Sequence, residues 1–251
     1  MITVCIRDSE LKEKAGKLAE QLQSEWRFVS EIDSDELYLL LDSEGLSLVK
    51  GTLQMYPDLR NLIPRIRKSN LERELLIKAS GINRSGAGPG TKELIAVDAT
   101  AGMGEDALLL AAAGFRVNLY EKDPVIAALL QDSLLRARKS EELSEIVSRM
   151  ELTVGDSITA METFQSPPDL IFLDPMFPER TKSASVKKKF QLLHLLEHPC
   201  EDEECLLKAA RNAQPGRIVI KRPLKGPFLG GIRPSFSMEG KAVRYDCLLR
   251  P

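Results

Sequence analysis

The stretch from Leu94 to Asp106 constrains the fold of this chain more than any other. It reads LIAVDATAGMGED, and its apolar run Leu94–Val97 is typical of a strand that is buried on both faces of a parallel sheet. Gly102 and Gly104 follow, and an apolar helix begins after them. A strand, a glycine-rich turn and a helix in this order let a ligand approach the backbone and meet the N–H groups of the helix start. The stretch therefore predicts a ligand site, with a tight turn that binds nothing as the alternative.

Downstream of this stretch the pattern alternates between strands and helices, which predicts an α/β fold: a doubly wound parallel sheet with helices on both faces. The predicted strands are Leu94–Val97, Arg116–Tyr120, Met150–Val154, Leu170–Leu173, Arg217–Lys221 and Ala242–Leu249, and the predicted helices include Pro124–Arg138, Val186–Leu196 and Cys205–Ala213. In such sheets ligands bind beyond the carboxyl ends of the strands. Polar residues at those ends therefore converge on one edge of the sheet; they are Asp98, Glu121, Asp156, Asp174 and Lys221.

The chain divides into three predicted parts: a small N-terminal α/β appendage at residues 1–64, a basic helix and linker at residues 65–90, and the main domain at residues 91–251. Apolar spacing and turn signals predict the elements of the first two parts. These are a strand at Ile2–Ile6, a helix at Ser9–Leu22, a hairpin of Leu37–Leu41 with Leu46–Val49, a helix at Asn70–Ala79 and a linker at Gly81–Gly90.

Charge and composition exclude several classes of protein. The formal net charge is -2, so any contact with nucleic acid must come from a local basic patch. No apolar run is long enough to span a bilayer, and the start MITVCIRDSE lacks the pattern of a signal peptide. The 4 cysteines are scattered, as in proteins of a reducing compartment. We therefore expect a cytoplasmic protein.

Two classes of cofactor fit the glycine turn. Glu121 follows Gly104 by about the interval expected for an acid that binds a ribose. The segment Gly102–Ala107 also satisfies G-x-G-x-x-A, so an NAD-dependent oxidoreductase is an alternative. However, Glu105 and Asp106 occupy the helix start where a pyrophosphate would lie, and carboxylates there suit a ligand with an ammonium group.

A second motif, Asp174-Pro175-Met176-Phe177, completes a resemblance to a known family. The segments DATAGMGEDA, YEKDP, GDS, LDPMFP, VKKK and VIKRP, between Thr91 and Pro251, resemble the RsmJ family. These are S-adenosylmethionine (SAM)-dependent methyltransferases that act on guanine N2 of 16S ribosomal RNA. The resemblance implies a class I methyltransferase fold, which is Rossmann-like with a mostly parallel seven-stranded sheet.

The resemblance also implies roles for the residues at the sheet edge. Glu105 and Asp106 would bind the amino-acid end of SAM, Glu121 and Lys122 would flank the ribose, and Asp156 and Ser157 would lie at the adenine. Asp174 would contact both cofactor and substrate. The full predicted cofactor site is Asp98, Gly102, Gly104, Glu105, Asp106, Glu121, Lys122, Asp156, Ser157 and Asp174.

The second motif suits methyl transfer to an amine. The exocyclic amine of guanine is a poor nucleophile, and acceptors for its N–H groups would free its lone pair; the Asp174 carboxylate and the Pro175 carbonyl are the predicted acceptors. Phe177 would stack on the base. We expect direct in-line transfer, with Asp174 orienting the amine and taking its proton and with no metal required.

Two basic groups are predicted to hold RNA phosphates on the same edge. They are Lys182, Lys187, Lys188 and Lys189 after the second motif, and Lys221 and Arg222 at the end of a strand. A solvated helix start is the alternative for the lysine run. A SAM-dependent enzyme that acts on an amine in DNA, protein or a small molecule also stays open, as does the NAD-dependent oxidoreductase.

Overall fold

The chain forms two β-sheets in a computed structural model that describes residues 2–33, 35–82, 92–175, 192, 195–196 and 202–250. The smaller sheet is built from residues 3–55 and the larger one from residues 94–249. Every helix among the described residues is too short or too polar to cross a lipid bilayer.

The smaller sheet has five strands in the order β2-β1-β3-β4-β5. They are β1 (Thr3–Ile6), β2 (Trp26–Phe28), β3 (Leu37–Leu41), β4 (Leu46–Lys50) and β5 (Leu53–Met55), and helix α1 (Lys12–Gln21) packs on them. The predicted first strand, helix and hairpin are confirmed, although the first turn of the predicted helix, Ser9–Leu11, is a 3-10 turn. Strands β2 and β5 have three residues each and are too short to give a periodic signal.

Three short helices connect the two sheets: α2 (Ile63–Ile66), α3 (Lys68–Leu71) and α4 (Leu75–Ser80). The prediction of one helix over Asn70–Ala79 is wrong, because Glu74 has an extended backbone (φ -61°, ψ 126°) that separates α3 from α4. Its carboxylate forms two hydrogen bonds with the Arg65 guanidinium, at 2.8 and 2.9 Å. The apolar pattern therefore covers two separate helices, and Glu74, with its ion pair to Arg65, lies at the break between them.

The larger sheet has seven strands in the order β11-β12-β10-β9-β6-β7-β8. They are β6 (Leu94–Asp98), β7 (Phe115–Glu121), β8 (Met150–Val154), β9 (Leu170–Leu173), β10 (Arg217–Pro223), β11 (Phe236–Glu239) and β12 (Val243–Leu249). Five neighbouring strands pair in parallel, in the order β10, β9, β6, β7 and β8. Strand β12 runs antiparallel to both β10 and β11. The predicted mostly parallel, seven-stranded α/β fold is confirmed.

Helices cover both faces of the larger sheet. They are α5 (Glu105–Ala113), α6 (Pro124–Ala137), α7 (Ser144–Val147), α8 (Ser157–Glu162) and α9 (Glu203–Asn212). Residues of α5 and α6 pack with Ala96 on one face, and residues of α8 and α9 pack with Val97 on the other. Because successive side chains of a strand point to opposite faces, β6 contributes to both cores. Most of the predicted linker Gly81–Gly90 and of the predicted helix Val186–Leu196 lies outside the described residues.

Helix α6 also joins the two sheets. Together with α1 it covers one face of the smaller sheet, where Leu129 packs with Leu39 and Leu48. The Asp132 carboxylate accepts a hydrogen bond from the Leu46 N–H at 3.0 Å. The smaller sheet therefore depends on a helix of the larger domain for part of its core.

Candidate active site

The glycine turn after β6 has two left-handed residues with different surroundings. Gly102 has φ +51° and Gly104 has φ +72°. A Cβ atom on Gly104 would lie 2.7 Å from Cδ1 of Leu130 in α6, whereas one on Gly102 would meet only the Thr100 carbonyl oxygen, at 4.0 Å. Gly104 therefore permits close packing of the helix, and Gly102 leaves open space where a ligand can approach the backbone.

Glu121, at the end of β7, is bound directly to this turn. Its Oε2 accepts a hydrogen bond from the Gly102 N–H, and its Oε1 accepts one from the Asp123 N–H, both at 2.9 Å. Burial raises the pKa of the Glu121 carboxyl. Each carboxylate oxygen keeps a second lone pair, so Glu121 can still accept hydrogen bonds from ribose hydroxyls. The structure thus brings together two features that the sequence predicts to share a site.

The loop after β8 lies beside Glu121. The Gly155 N–H donates to the Glu121 carbonyl at 2.9 Å, which connects the ends of β7 and β8. Asp156 then caps α8 by accepting a hydrogen bond from the Ile158 N–H at 2.9 Å, and Ser157 is buried next to it. Lys122, which follows Glu121 in sequence, is exposed. The predicted ribose and adenine residues are therefore neighbours in the fold, although their contacts with SAM stay a prediction.

Asp174, at the end of β9, is held by residues from two other elements. Its N–H donates to Oγ1 of Thr100 at 2.7 Å, and its Oδ2 forms an ion pair with Nζ of Lys221 at 2.8 Å. Lys221 in β10 also pairs with Oδ2 of Asp106, in the first turn of α5, at 2.7 Å. Burial opposes the charge of Lys221, but the two carboxylates raise its pKa above the ordinary value. Burial raises the pKa of the Asp174 carboxyl, and Lys221 offsets part of that effect.

Asp98 lies beneath the turn and not on its surface. Its side chain accepts a hydrogen bond from the Thr100 N–H at 3.2 Å, and the residue is only 1% exposed. Burial, with a further contribution from the Asp106 and Asp174 charges, raises the pKa of Asp98 to about 8. Asp98 is therefore mostly protonated at neutral pH and supports the turn through Thr100.

Two residues of the predicted RNA contacts are engaged inside the protein. The Arg222 side chain is 0% exposed, pairs with Oε1 of Glu203 at 3.2 Å and donates from Nε to the Pro227 carbonyl at 2.9 Å. The prediction that Arg222 contacts phosphate is therefore wrong. Lys221 has two carboxylates as partners, so its ammonium group is engaged within the protein and not with a phosphate.

Four predicted lysines and Phe177 lie outside the described residues; the lysines are Lys182, Lys187, Lys188 and Lys189. Sequence reasoning missed Thr100 and the pairing of Lys221 with carboxylates. The signal for the second was present, because Lys221 ends a predicted strand among strands that end in acids.

Comparison with known proteins identifies the family. The profile of a family described as "Putative SAM-dependent methyltransferase" matches residues 21–250. Ribosomal RNA small subunit methyltransferase J of Thioalkalivibrio sulfidiphilus is 37% identical over 255 aligned residues, which cover 98% of this chain and 96% of that protein. The chain belongs to the ribosomal RNA small subunit methyltransferase J family. Membership in a family described as SAM-dependent favours SAM over NAD as the cofactor.

Two further comparisons show how far the similarity extends. The methyltransferase J of Nitrosococcus oceani is 47% identical over 155 residues, and that alignment covers 61% of this chain and 61% of the relative. The crystal structure of a SAM-dependent methyltransferase from Neisseria gonorrhoeae superposes with a TM-score of 0.76 at 28% identity, and the match covers 99% of this chain and 96% of that one. The structural similarity to that methyltransferase thus extends over both sheets.

The residues at the sheet edge fit SAM, the cofactor of this methyltransferase family. SAM carries a sulfonium and an ammonium group, and the edge is lined by carboxylates that include Glu121 and Asp174. Open space above Gly102 admits a ligand next to the carboxylate that is suited to a ribose. The site therefore offers acidic side chains to a cationic nucleoside.

Proposed function

We propose that this chain transfers a methyl group from SAM to the exocyclic N2 of a guanine in 16S ribosomal RNA, in the cytoplasm. The observation that carries the proposal is the position of Asp174 and Pro175, at the strand end next to the glycine turn, with Asp174 held by Thr100 and Lys221. The name of the relatives, ribosomal RNA small subunit methyltransferase J, supports the choice of RNA as substrate.

Asp174 has an oxygen available for the substrate amine. Its Oδ2 is bound to Lys221, whereas its Oδ1 has no hydrogen-bond partner among the described residues. We assign Oδ1 and the Pro175 carbonyl as acceptors for the two N–H groups of the guanine amine. These acceptors would localise the lone pair on nitrogen and fix its direction. Phe177 would stack on the base and keep it in place.

The cofactor residues act by orientation. Bound SAM supplies a methyl group that is already activated by the positive charge on sulfur. We place Glu121 and Lys122 at the ribose and Asp156 and Ser157 at the adenine. Aligning the amine with the methyl group accounts for most of the acceleration in such a transfer.

The amino-acid end of the cofactor calls for a separate assignment. Asp106 already has Lys221 as its partner, at 2.7 Å. We place Glu105 and the backbone of the glycine turn at the ammonium end because Glu105 begins α5 directly after Gly104. Asp106 contributes negative charge there without a direct contact.

RNA binding requires exposed positive charge near this edge. Arg67, Lys68 and Arg73 are exposed in the segment of α2 and α3, which packs on α5. Arg65 in α2 lies close enough to Asp106 and Glu105 for their charges to raise its pKa further, after the larger effect of its Glu74 partner.

This segment starts beside the site, so we propose that it contacts phosphates, together with Lys182 and Lys187–Lys189. A guanine that is paired in its RNA helix must be turned out of the stack to reach Asp174.

A methylation assay tests the proposal. The protein is incubated with isotopically labelled SAM and either naked 16S RNA or small subunits from a strain that lacks this enzyme, and the RNA is digested to nucleosides for mass spectrometry. The proposal expects labelled N2-methylguanosine. Label in a different nucleoside, or transfer only to DNA, protein or a small molecule, would overturn it.

A further inference from the structure

Lys221 joins two carboxylates that come from different elements of the fold. Its Nζ lies 2.7 Å from Oδ2 of Asp106 and 2.8 Å from Oδ2 of Asp174. Asp106 is 115 residues away in sequence and begins α5, while Asp174 ends the neighbouring strand β9. The Lys221 side chain is 25% exposed, so the three groups interact where water screens their charges only partly.

The charges around Asp174 act in opposite directions. Burial raises the pKa of the Asp174 carboxyl, Lys221 lowers it, Asp106 raises it and Arg222 lowers it. The Asp98 and Tyr245 side chains also interact electrostatically with Asp174, from β6 and β12. Burial raises the pKa of both, so at neutral pH Tyr245 carries no charge and Asp98 is mostly protonated. Among the described residues, Lys221 and Asp106 are therefore the charged groups with the largest effect on how readily Asp174 holds a proton.

We propose that Lys221 is a positioning residue for methyl transfer, which holds one oxygen of Asp174 so that the other faces the substrate amine, while Asp106 holds Lys221. This inference rests on the proposed function. As the N–C bond forms and the bond from carbon to sulfur breaks, the nitrogen must lose one proton, which goes to Asp174 and then to solvent. Asp174 must be ionised to accept the amine hydrogen bond, and Lys221 maintains that charge.

The pH profile of kcat/KM separates this role from a structural one. The acidic limb of the profile reports the pKa of the base in the free enzyme. Lys221→Met removes the cation and should move that limb to higher pH by about one unit or more. Asp106→Asn removes the carboxylate that competes with Asp174 for Lys221. The pKa of Asp174 should then fall, so the acidic limb should move to lower pH. Lys221→Arg retains the charge and should restore most of the wild-type profile.

An ion pair at the opposite end of β9 supplies a control. Lys92, before β6, pairs with Asp169, before β9, at 3.1 Å. Lys92→Met therefore removes a lysine from an ion pair that links β6 and β9 at the end opposite the carboxyl edge. We expect its acidic limb to stay at the wild-type position.

The outcomes are distinct. The inference is supported if the acidic limb moves in opposite directions for Lys221→Met and Asp106→Asn and stays in place for Lys92→Met. If the wild-type enzyme is active and the limb moves in the same direction for both variants, or does not move for either, the inference is overturned. If Lys221→Met does not fold, the downward shift in Asp106→Asn and the rescue by Lys221→Arg decide the question. Absence of methyl transfer by the wild-type enzyme to any form of 16S RNA would instead overturn the proposed function.

Discussion

The two glycines of the turn should respond differently to the same small change. Gly104→Ala places a left-handed alanine at φ +72° and a Cβ 2.7 Å from Cδ1 of Leu130, which is fully buried. The backbone strain costs about 1–2 kcal/mol, and the overpacking adds about 1–3 kcal/mol because a close-packed core yields little. Gly102→Ala has φ +51° and no clash within the protein, so we expect only the strain.

Urea denaturation of the two variants measures this difference. The free energy of unfolding should fall by about 2–5 kcal/mol for Gly104→Ala and by about 1–2 kcal/mol for Gly102→Ala. Calorimetric titration with SAM should show the opposite order. Gly102→Ala places a methyl group in the open space of the turn, so its affinity should fall about tenfold or more, whereas any loss for Gly104→Ala should be smaller.

A double-mutant cycle tests the cause of the larger loss. Leu130→Ala removes the methyl group with which the new Cβ would collide, so in that background Gly104→Ala should cost only the backbone strain. If Gly104→Ala is as mild as Gly102→Ala, or if its cost is the same with and without the Leu130 side chain, the packing argument is refuted.

Two further predictions concern charge. Because the pKa of Asp98 rises from its ordinary value near 4 to about 8, the folded protein keeps a proton that the unfolded chain releases, so this contribution to stability falls as pH rises from about 4 to about 8. Asp98→Asn should therefore flatten the decline of the melting temperature over this range, and an unchanged slope would contradict a protonated Asp98. Charge reversal of Arg67 and Lys68 to glutamate should raise the KM for RNA and weaken its salt dependence, as measured by methylation at several salt concentrations. The same reversal of the exposed Arg138 and Lys139, after the far end of α6, is the control; equal effects of the two pairs would argue against the segment as an RNA surface.

Local sequence patterns predicted where the site lies, because a strand end or a glycine turn is encoded by a short stretch of sequence. Periodicity and spacing correctly predicted the strand before Asp98, the glycine turn and the acid at the end of β7. The hydrogen bond from Gly102 to Glu121 agrees with the prediction that the strand ends meet at one edge of the sheet. Strands β2 and β5 have three residues each and carry too little alternation to be found.

Pairings between distant residues could not be predicted in the same way. Lys221 and Arg222 are adjacent basic residues, but successive side chains of a strand point to opposite faces, so only Lys221 reaches Asp174 while Arg222 reaches Glu203. The register of β10 against β9 decides which of these two side chains points toward the site, and a single sequence does not reveal that register.

The central claim is that Asp174 presents a guanine amine to the methyl group of SAM. Nucleoside mass spectrometry of 16S RNA after reaction with wild-type protein and with Asp174→Ala tests it most directly, once calorimetry and thermal melting show that both proteins bind SAM and are folded. We predict N2-methylguanosine with the wild-type protein and a loss of at least about a hundredfold with Asp174→Ala. Equal formation of N2-methylguanosine by the two proteins would contradict the account.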